Sequence, residues 1–233
     1  MSILVKSAYC LNEKSHGEIM HKMNYKNSWK RVIDLFGALA MLLFLSPILI
    51  LAMVLIRLKM GSPIFFTQNR LGYNGEIFKI WKFRSMTTCV DESGELKGDE
   101  FRLTRFGKFL RDWSIDEIPQ LWNVVIGDMS LIGPRPFIAE YSSRYTAEQM
   151  RRHEVRPGIS GWAQITGRNS LSWNQKFTLD VWYVDHCSFM LDLKILLSTV
   201  PIVLNRAGIK AENHVTMPQW TGNDNSENST PSE

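Results

Sequence analysis

The longest apolar stretch of the chain, LFGALAMLLFLSPILILAMVLI at 35–56, carries no charge and is long enough to cross a bilayer as a helix. Basic residues flank it on both sides, Lys30 and Arg31 before and Arg57 and Lys59 after, so the preference of cations for the cytoplasmic side would hold both ends there. Ser46-Pro47 falls near the middle, where proline removes a backbone donor and bends a helix. Two readings follow. One is a helix–break–helix that enters a single leaflet and returns, its freed carbonyls met by the Ser46 hydroxyl or by packed protein. The other is an ordinary proline-kinked span.

The remaining pattern predicts a helix-rich α+β body. IFFTQNRLGY and EIFKIWKF flank Asn74-Gly75, a tight-turn signal, and read as a β-hairpin over 64–84. DESGELKGDE at 91–100 reads as a polar loop. In 105–113, Phe106, Phe109, Leu110 and Trp113 recur at helical spacing while Arg105, Lys108 and Arg111 line another face. That is an amphipathic helix, suited to a membrane interface or to a core. Residues 138–152 read as a polar helix and 155–169 as a Gly/Pro loop. WNQKFTLDVWYVDH and LDLKILLSTVPIVLNRAG read as helices, the second ending near Gly208 and too short in its apolar part to span. The chain therefore divides into a polar tail at 1–28, a membrane-inserting unit at 29–60, a body at 61–210 and a polar tail at 211–233.

At 233 residues the chain suits one domain with a substantial core. Its 27 Lys and Arg against 23 Asp and Glu give a net charge of +4, which suits an anionic partner such as lipid phosphate or nucleotide, and equally suits plain solubility. The three cysteines, Cys10, Cys89 and Cys187, are far apart and form no CxxC pair. They argue against a disulfide framework or a zinc site and for a reducing compartment. Residues 1–27 hold no apolar run of signal-peptide length. Eight tryptophans suit interfacial anchoring. No zinc-finger spacing or aromatic RNA-binding signature points to nucleic acid. His153 and His186 lack partners at metal-ligand spacing and read as structural.

The chemistry concentrates in SIDEIPQLWNVVIGDMSLIGPRP, 114–136. As structure, Ser114 and Glu117 fit a capping box, with Pro119 in the first helical turn. As chemistry, the same residues put Asp116 and Glu117 at a helix start, where free N–H groups and the positive dipole end favour phosphate and ionised carboxylate. Neighbours on a helix point about 100° apart, which suits two separate tasks. One acid can attack phosphorus, and the other can hold a divalent cation whose shell the substrate phosphates complete. Arg111, Arg135 (between Pro134 and Pro136) and Arg168 (in a Gly-rich loop) are candidate phosphate clamps, although any one arginine has a surface role open to it. Lys82 and Arg84 on the second hairpin strand are further cations.

Several ordered blocks between about Lys30 and Gly222 resemble the bacterial sugar transferases known as monotopic polyprenyl-phosphate phosphoglycosyl transferases. They include KRVIDLFGA, GSPIFFTQNRLG, FKIWKFRSM, RDWSIDEIPQLWNVVIGDMSLIGPRP, RRHEVRPGISGWAQITGRN and KFTLDVWYVDH. The resemblance implies passage of a sugar-1-phosphate from a UDP-sugar to undecaprenyl phosphate with release of UMP. It implies that Asp116 is the nucleophile of a covalent phosphosugar intermediate and that Glu117 binds Mg²⁺. Arg111, Arg135 and Arg168 would contact phosphate, with Lys82 and Gln164 as further substrate-binding residues. It favours the re-entrant reading, with the break at Ser46-Pro47, and a catalytic domain at 61–210 on the cytoplasmic face of the bacterial inner membrane. The chain would be the family's minimal catalytic form, opening assembly of a capsule, exopolysaccharide, O-antigen or glycoprotein glycan ahead of downstream glycosyltransferases. Two other classes remain open: a non-catalytic membrane scaffold that binds nucleotide sugars or pathway partners, and a metal-dependent phosphohydrolase.

Overall fold

A computed structural model describes residues 25–91, 93–95, 97–167, 170–204 and 220–222. Arg168, the helix end expected near Gly208 and most of both expected polar tails lie outside the described residues.

After a short π-helical turn at Tyr25–Trp29, helix α1 runs from Lys30 to Met60, about 46 Å at the usual rise per residue. It is one helix rather than the expected helix–break–helix, with Pro47 inside it. Proline at 47 leaves the Leu43 carbonyl without its usual partner, and the Ser46 hydroxyl donates to that oxygen at 2.8 Å. Among the described residues α1 is the helix long and apolar enough to cross a membrane. A stripe at spacings of three and four (Asp34, Ala38, Leu42, Leu45, Leu49, Ala52, Ile56, Met60) faces the rest of the chain on both sides of Pro47. The opposite face leaves Phe36, Leu43, Phe44 and Leu58 largely exposed. An apolar surface of that extent marks contact with something other than water.

Strands β1, Phe65–Leu71, and β2, Ile77–Phe83, pair antiparallel with Phe65 opposite Phe83 and Leu71 opposite Ile77. The expected turn is present: Asn74 and Gly75 both take positive φ, 53° and 78°. Helix α2, Asp99–Arg102, ends the expected loop early. Helix α3, Arg105–Asp112, is capped by the Thr104 hydroxyl, which accepts from the Gly107 N–H. It packs as a core helix on one face, with Leu110 buried against Ala52, Ile56 and Phe83, while Phe109 stays half exposed.

Ser114 and Glu117 do not form the expected capping box. Ser114 is left-handed at φ 54° and makes no capping hydrogen bond, residues Ile115–Glu117 form a 3-10 turn, and helix α4 starts at Gln120 and ends at Ile126. The Glu117 side chain is drawn instead to cations elsewhere in the fold. Strand β3, Ser130–Ile132, pairs parallel with β4, Gly158–Ser160. Both β4 and helix α6 (Trp162–Thr166) lie in the segment expected to be loop.

The polar helix expected at 138–152 is three short pieces: a 3-10 turn at Ala139–Arg144, helix α5 at Ala147–Met150, and a second turn at Arg151–Glu154. Two local preferences divide it. Tyr145 stacks on Trp220 and meets Phe177 edge-on, and Thr146 starts a new helix through a capping box with Gln149. Helices α7, Trp173–His186, and α8, Phe189–Leu204, complete the described fold.

Three polar side chains staple these parts. Asp192 of α8 accepts from the hydroxyls of Tyr25 (2.7 Å) and Tyr183 (2.6 Å) and from Lys30, fixing the start of α1. Arg152, 1% exposed, pairs with Asp180 of α7 at 2.7 Å and lies over the Phe137 ring. Asn123 of α4, fully buried, donates to the Lys79 carbonyl (2.8 Å) and accepts from the Trp81 N–H (3.0 Å). It thereby satisfies the open edge of β2, where no third strand is paired among the described residues. Asn123→Ala strands both groups, so thermal unfolding in detergent should show a loss of about 1–3 kcal/mol for each group left buried. An unchanged midpoint would count against the staple.

Candidate active site

Four parts of the chain bring charge to one place: β2 supplies Lys82, the 3-10 turn supplies Asp116 and Glu117, the segment after β3 supplies Arg135, and the last turn of α3 supplies Arg111. Glu117 is the hub. Its Oε1 accepts from Lys82 Nζ at 2.7 Å and from an Arg135 terminal nitrogen at 2.6 Å, while Oε2 has only a 3.4 Å contact with Arg135. Arg111 donates to the Ser85 hydroxyl at 2.9 Å, which fixes its guanidinium near the acids. Among the described residues the Asp116 carboxylate, 8% exposed, has no hydrogen-bond donor.

The loop carrying Arg135 is held without slack. Gly133 N–H donates to the Ser160 carbonyl (2.9 Å) and Gly158 N–H to the Pro134 carbonyl (3.0 Å). The two chains approach so closely that a Cβ on Gly158 would lie 2.0 Å from the Gly133 nitrogen, which demands glycine there. Arg152 donates to the Arg135 carbonyl at 2.6 Å.

The two acids sit in unlike fields. Burial, followed by the charge of Glu117, pushes the Asp116 carboxyl up to about 6, against the opposing pull of Lys82, Arg111 and Arg135. Burial would also raise Glu117, but Arg135 and Lys82, by charge and by hydrogen bond, outweigh it and hold Glu117 well below the usual carboxylate range. The Glu117 carboxylate in turn raises the Arg135 guanidinium above its ordinary value. Near neutral pH both acids are ionised, and Asp116 is the one whose acceptor capacity is free.

The expected residues Lys82, Arg111, Asp116, Glu117 and Arg135 thus come together. The Gln164 amide donates to the Ile159 carbonyl at 3.0 Å. Arg84 is structural, donating to the Ser62 and Met86 carbonyls. His153 Nδ1 lies 3.0 Å from the Gly72 carbonyl. Ser46 and Pro47 belong to α1. Sequence reading missed Arg70 and Gln120, which border Lys82 and Arg135. One signal was present: Gln120 and Asn123, three apart in α4, are polar where the helix turns inward, and both are buried.

Among the described residues no three His, Cys, Asp or Glu form a metal cage. Glu117 Oε2 and the Asp116 carboxylate nonetheless retain lone pairs, and the surrounding cations oppose a lone metal ion. The set fits a hard divalent cation that arrives with substrate phosphates, the way Mg²⁺ binds through one or two carboxylates.

The sequence profile of the bacterial sugar transferases matches residues 25–206. The chain belongs to the bacterial sugar transferase family. This transferase is 54% identical over 193 residues (83% of the chain, 96% of the relative) to a Bacillus subtilis protein named uncharacterized sugar transferase EpsL. It is 39% identical over 187 residues (75% of the chain, 69% of the relative) to a Caulobacter vibrioides UDP-glucose:undecaprenyl-phosphate glucose-1-phosphate transferase. It is 38% identical over 189 residues (78% of the chain, 45% of the relative) to an Aeromonas hydrophila UDP-N-acetylgalactosamine-undecaprenyl-phosphate N-acetylgalactosaminephosphotransferase.

Activity of this transferase should fall about tenfold per pH unit below about 6, where Asp116 takes up a proton, and level off above. Lys82 lowers that carboxyl, so Lys82→Met should move the acid limb to higher pH. A limb that stays in place would remove Lys82 as a partner of Asp116.

Proposed function

We propose that this transferase moves a sugar-1-phosphate from a UDP-sugar to undecaprenyl phosphate, releasing UMP, with Asp116 as nucleophile. The observation that carries the reading is the division of labour between adjacent acids: Glu117 is tied to two cations and Asp116 is buried with its oxygens uncommitted among the described residues.

In the first step an Asp116 oxygen attacks the sugar-bearing phosphorus. The bond from that phosphorus to the bridging oxygen breaks, and UMP leaves with the electron pair. Lys82, Arg111 and Arg135 offset the charge of the diphosphate, and the planar guanidinium groups match its oxygens. In the second step an oxygen of undecaprenyl phosphate attacks the same phosphorus, and the Asp116 carboxylate leaves with its pair. Glu117 would hold Mg²⁺, which would supply further neutralisation of phosphate charge. Relatives named for glucose and for N-acetylgalactosamine support a UDP-sugar donor without fixing the sugar. A lipid-linked product would pass to downstream glycosyltransferases.

The membrane reading is a monotopic one: α1 enters one leaflet from the cytoplasmic face of the inner membrane and returns, bending at Ser46-Pro47. Its support is the contact stripe. Ala38 packs against Leu121 and Val124, and Ala52 and Ile56 pack against Phe83 and Leu110, so residues on both sides of Pro47 are bound to the same body. A helix standing across the bilayer would draw that body into the hydrocarbon.

Intact-mass spectrometry after mixing with a panel of UDP-sugars should find a phosphosugar adduct on wild type that Asp116→Asn lacks, with UMP release lost and membrane association kept. Normal UMP release by Asp116→Asn would sink the nucleophile. For topology, single cysteines at Ser28 and at Lys59, in a background freed of native cysteines, should label from the same side. Labelling from opposite sides would establish a span.

A further inference from the structure

Lys82 and Arg135, besides holding Glu117, line a narrow crevice with Arg70, Ile80, Gln120 and Pro136. Its volume is about 10 Å³, room for a single oxygen-sized group. Its walls carry donors that nothing in the described fold uses. Gln120 is 2% exposed, and its amide nitrogen has no partner. Arg70 Nε is also buried without one, although its terminal nitrogens donate to the Pro136 carbonyl (3.2 Å) and to Gln68 (2.7 Å). Native folds seldom leave such donors idle, because each costs about 1–3 kcal/mol.

A water molecule answers this poorly. Three of the four polar side chains lining the crevice, Arg70, Lys82 and Arg135, can only donate, and a water must place two hydrogens of its own. An anionic oxygen has no such hydrogens and meets three cations where Glu117 already balances only part of the charge. Burial chiefly, and then the nearness of Arg135, lower the Arg70 guanidinium to about 10, and an anion beside it would oppose both.

We propose that this crevice is a subsite for one non-bridging phosphoryl oxygen, with Gln120 and Arg70 as donors to it. The inference rests on the reading that phosphoryl groups come to Asp116 and Glu117. The oxygen belongs either to the diphosphate of the donor or to the phosphate of the lipid acceptor, and the two halves of the reaction separate these sources.

The test uses the full chain in nanodiscs, with undecaprenyl phosphate, Mg²⁺ and the UDP-sugar that wild type turns over. Gln120→Met removes the amide and keeps the length. Gln120→Glu fills the crevice with a carboxylate among three cations, which should raise the unfolding temperature while it displaces the substrate oxygen. Both variants should lose about 10- to 100-fold in kcat/KM, the size expected for a hydrogen bond to a charged group. Loss in kcat/KM for the UDP-sugar assigns the oxygen to the donor, and loss in kcat/KM for undecaprenyl phosphate assigns it to the acceptor. Wild-type values in both terms would overturn the subsite and leave the crevice to water. So would a Gln120→Glu variant that is thermally stabilised and fully active, whatever the fate of Gln120→Met. The Asp116 adduct is scored separately by mass, so impaired Gln120 variants beside an adduct-free wild type would sink the nucleophile and keep the subsite.

Discussion

The grip of Lys82 and Arg135 on Glu117 governs how the neighbouring carboxylate behaves. Two adjacent acids in one buried turn would ordinarily share a proton, because like charges in close quarters resist joint ionisation. Here two cations keep Glu117 charged at any ordinary pH, and burial together with the Glu117 charge raises Asp116 instead. That carboxyl stays ionised near neutrality yet titrates just below it. It is more basic than a solvent-exposed aspartate, which suits a nucleophile. In the proposed reaction the same cations would receive phosphate, so that one electrostatic arrangement would serve both the protein's acid and the substrate's charge.

The staples around the site explain how a body with two small sheets among the described residues holds five charged groups in register. Asn123 closes the free edge of β2 and so places Lys82. Arg152, held by Asp180 and laid over Phe137, pins the backbone at Arg135. The Gly133–Gly158 approach removes room for that loop to shift. Each is a buried polar or steric constraint, and removing one partner leaves the other without an answer in a dry interior.

Much of this was legible in order along the chain. The period-two strands around Asn74-Gly75 and the helical spacing of 105–113 became the elements they resembled, and the apolar run at 35–56 became helix without the expected break, because each pattern is local. The convergence of Asp116, Glu117, Arg111, Arg135 and Lys82 was also visible through family likeness. The capping box failed because Ser114 and Glu117 fit it only until Glu117 meets stronger partners brought by β2 and by the segment after β3. The single helix expected at 138–152 failed because Tyr145 is claimed by an aromatic cluster assembled from residues far along the chain. Arg70 could not be singled out for the same reason. A polar residue announces itself only when its burial is known, and burial belongs to the tertiary fold.

The stripe on α1 has a consequence for the lipid around it. A spanning helix matches its length to the hydrocarbon, so its attached parts rise and sink with membrane thickness. Here packing of Ala38 before Pro47 and of Ala52 and Ile56 after it ties the inserted segment to the body at both ends. In the proposed re-entrant arrangement the height of Asp116 above the headgroups would be set by protein packing, and a shift to longer or shorter acyl chains in the opposite leaflet would leave that height unchanged.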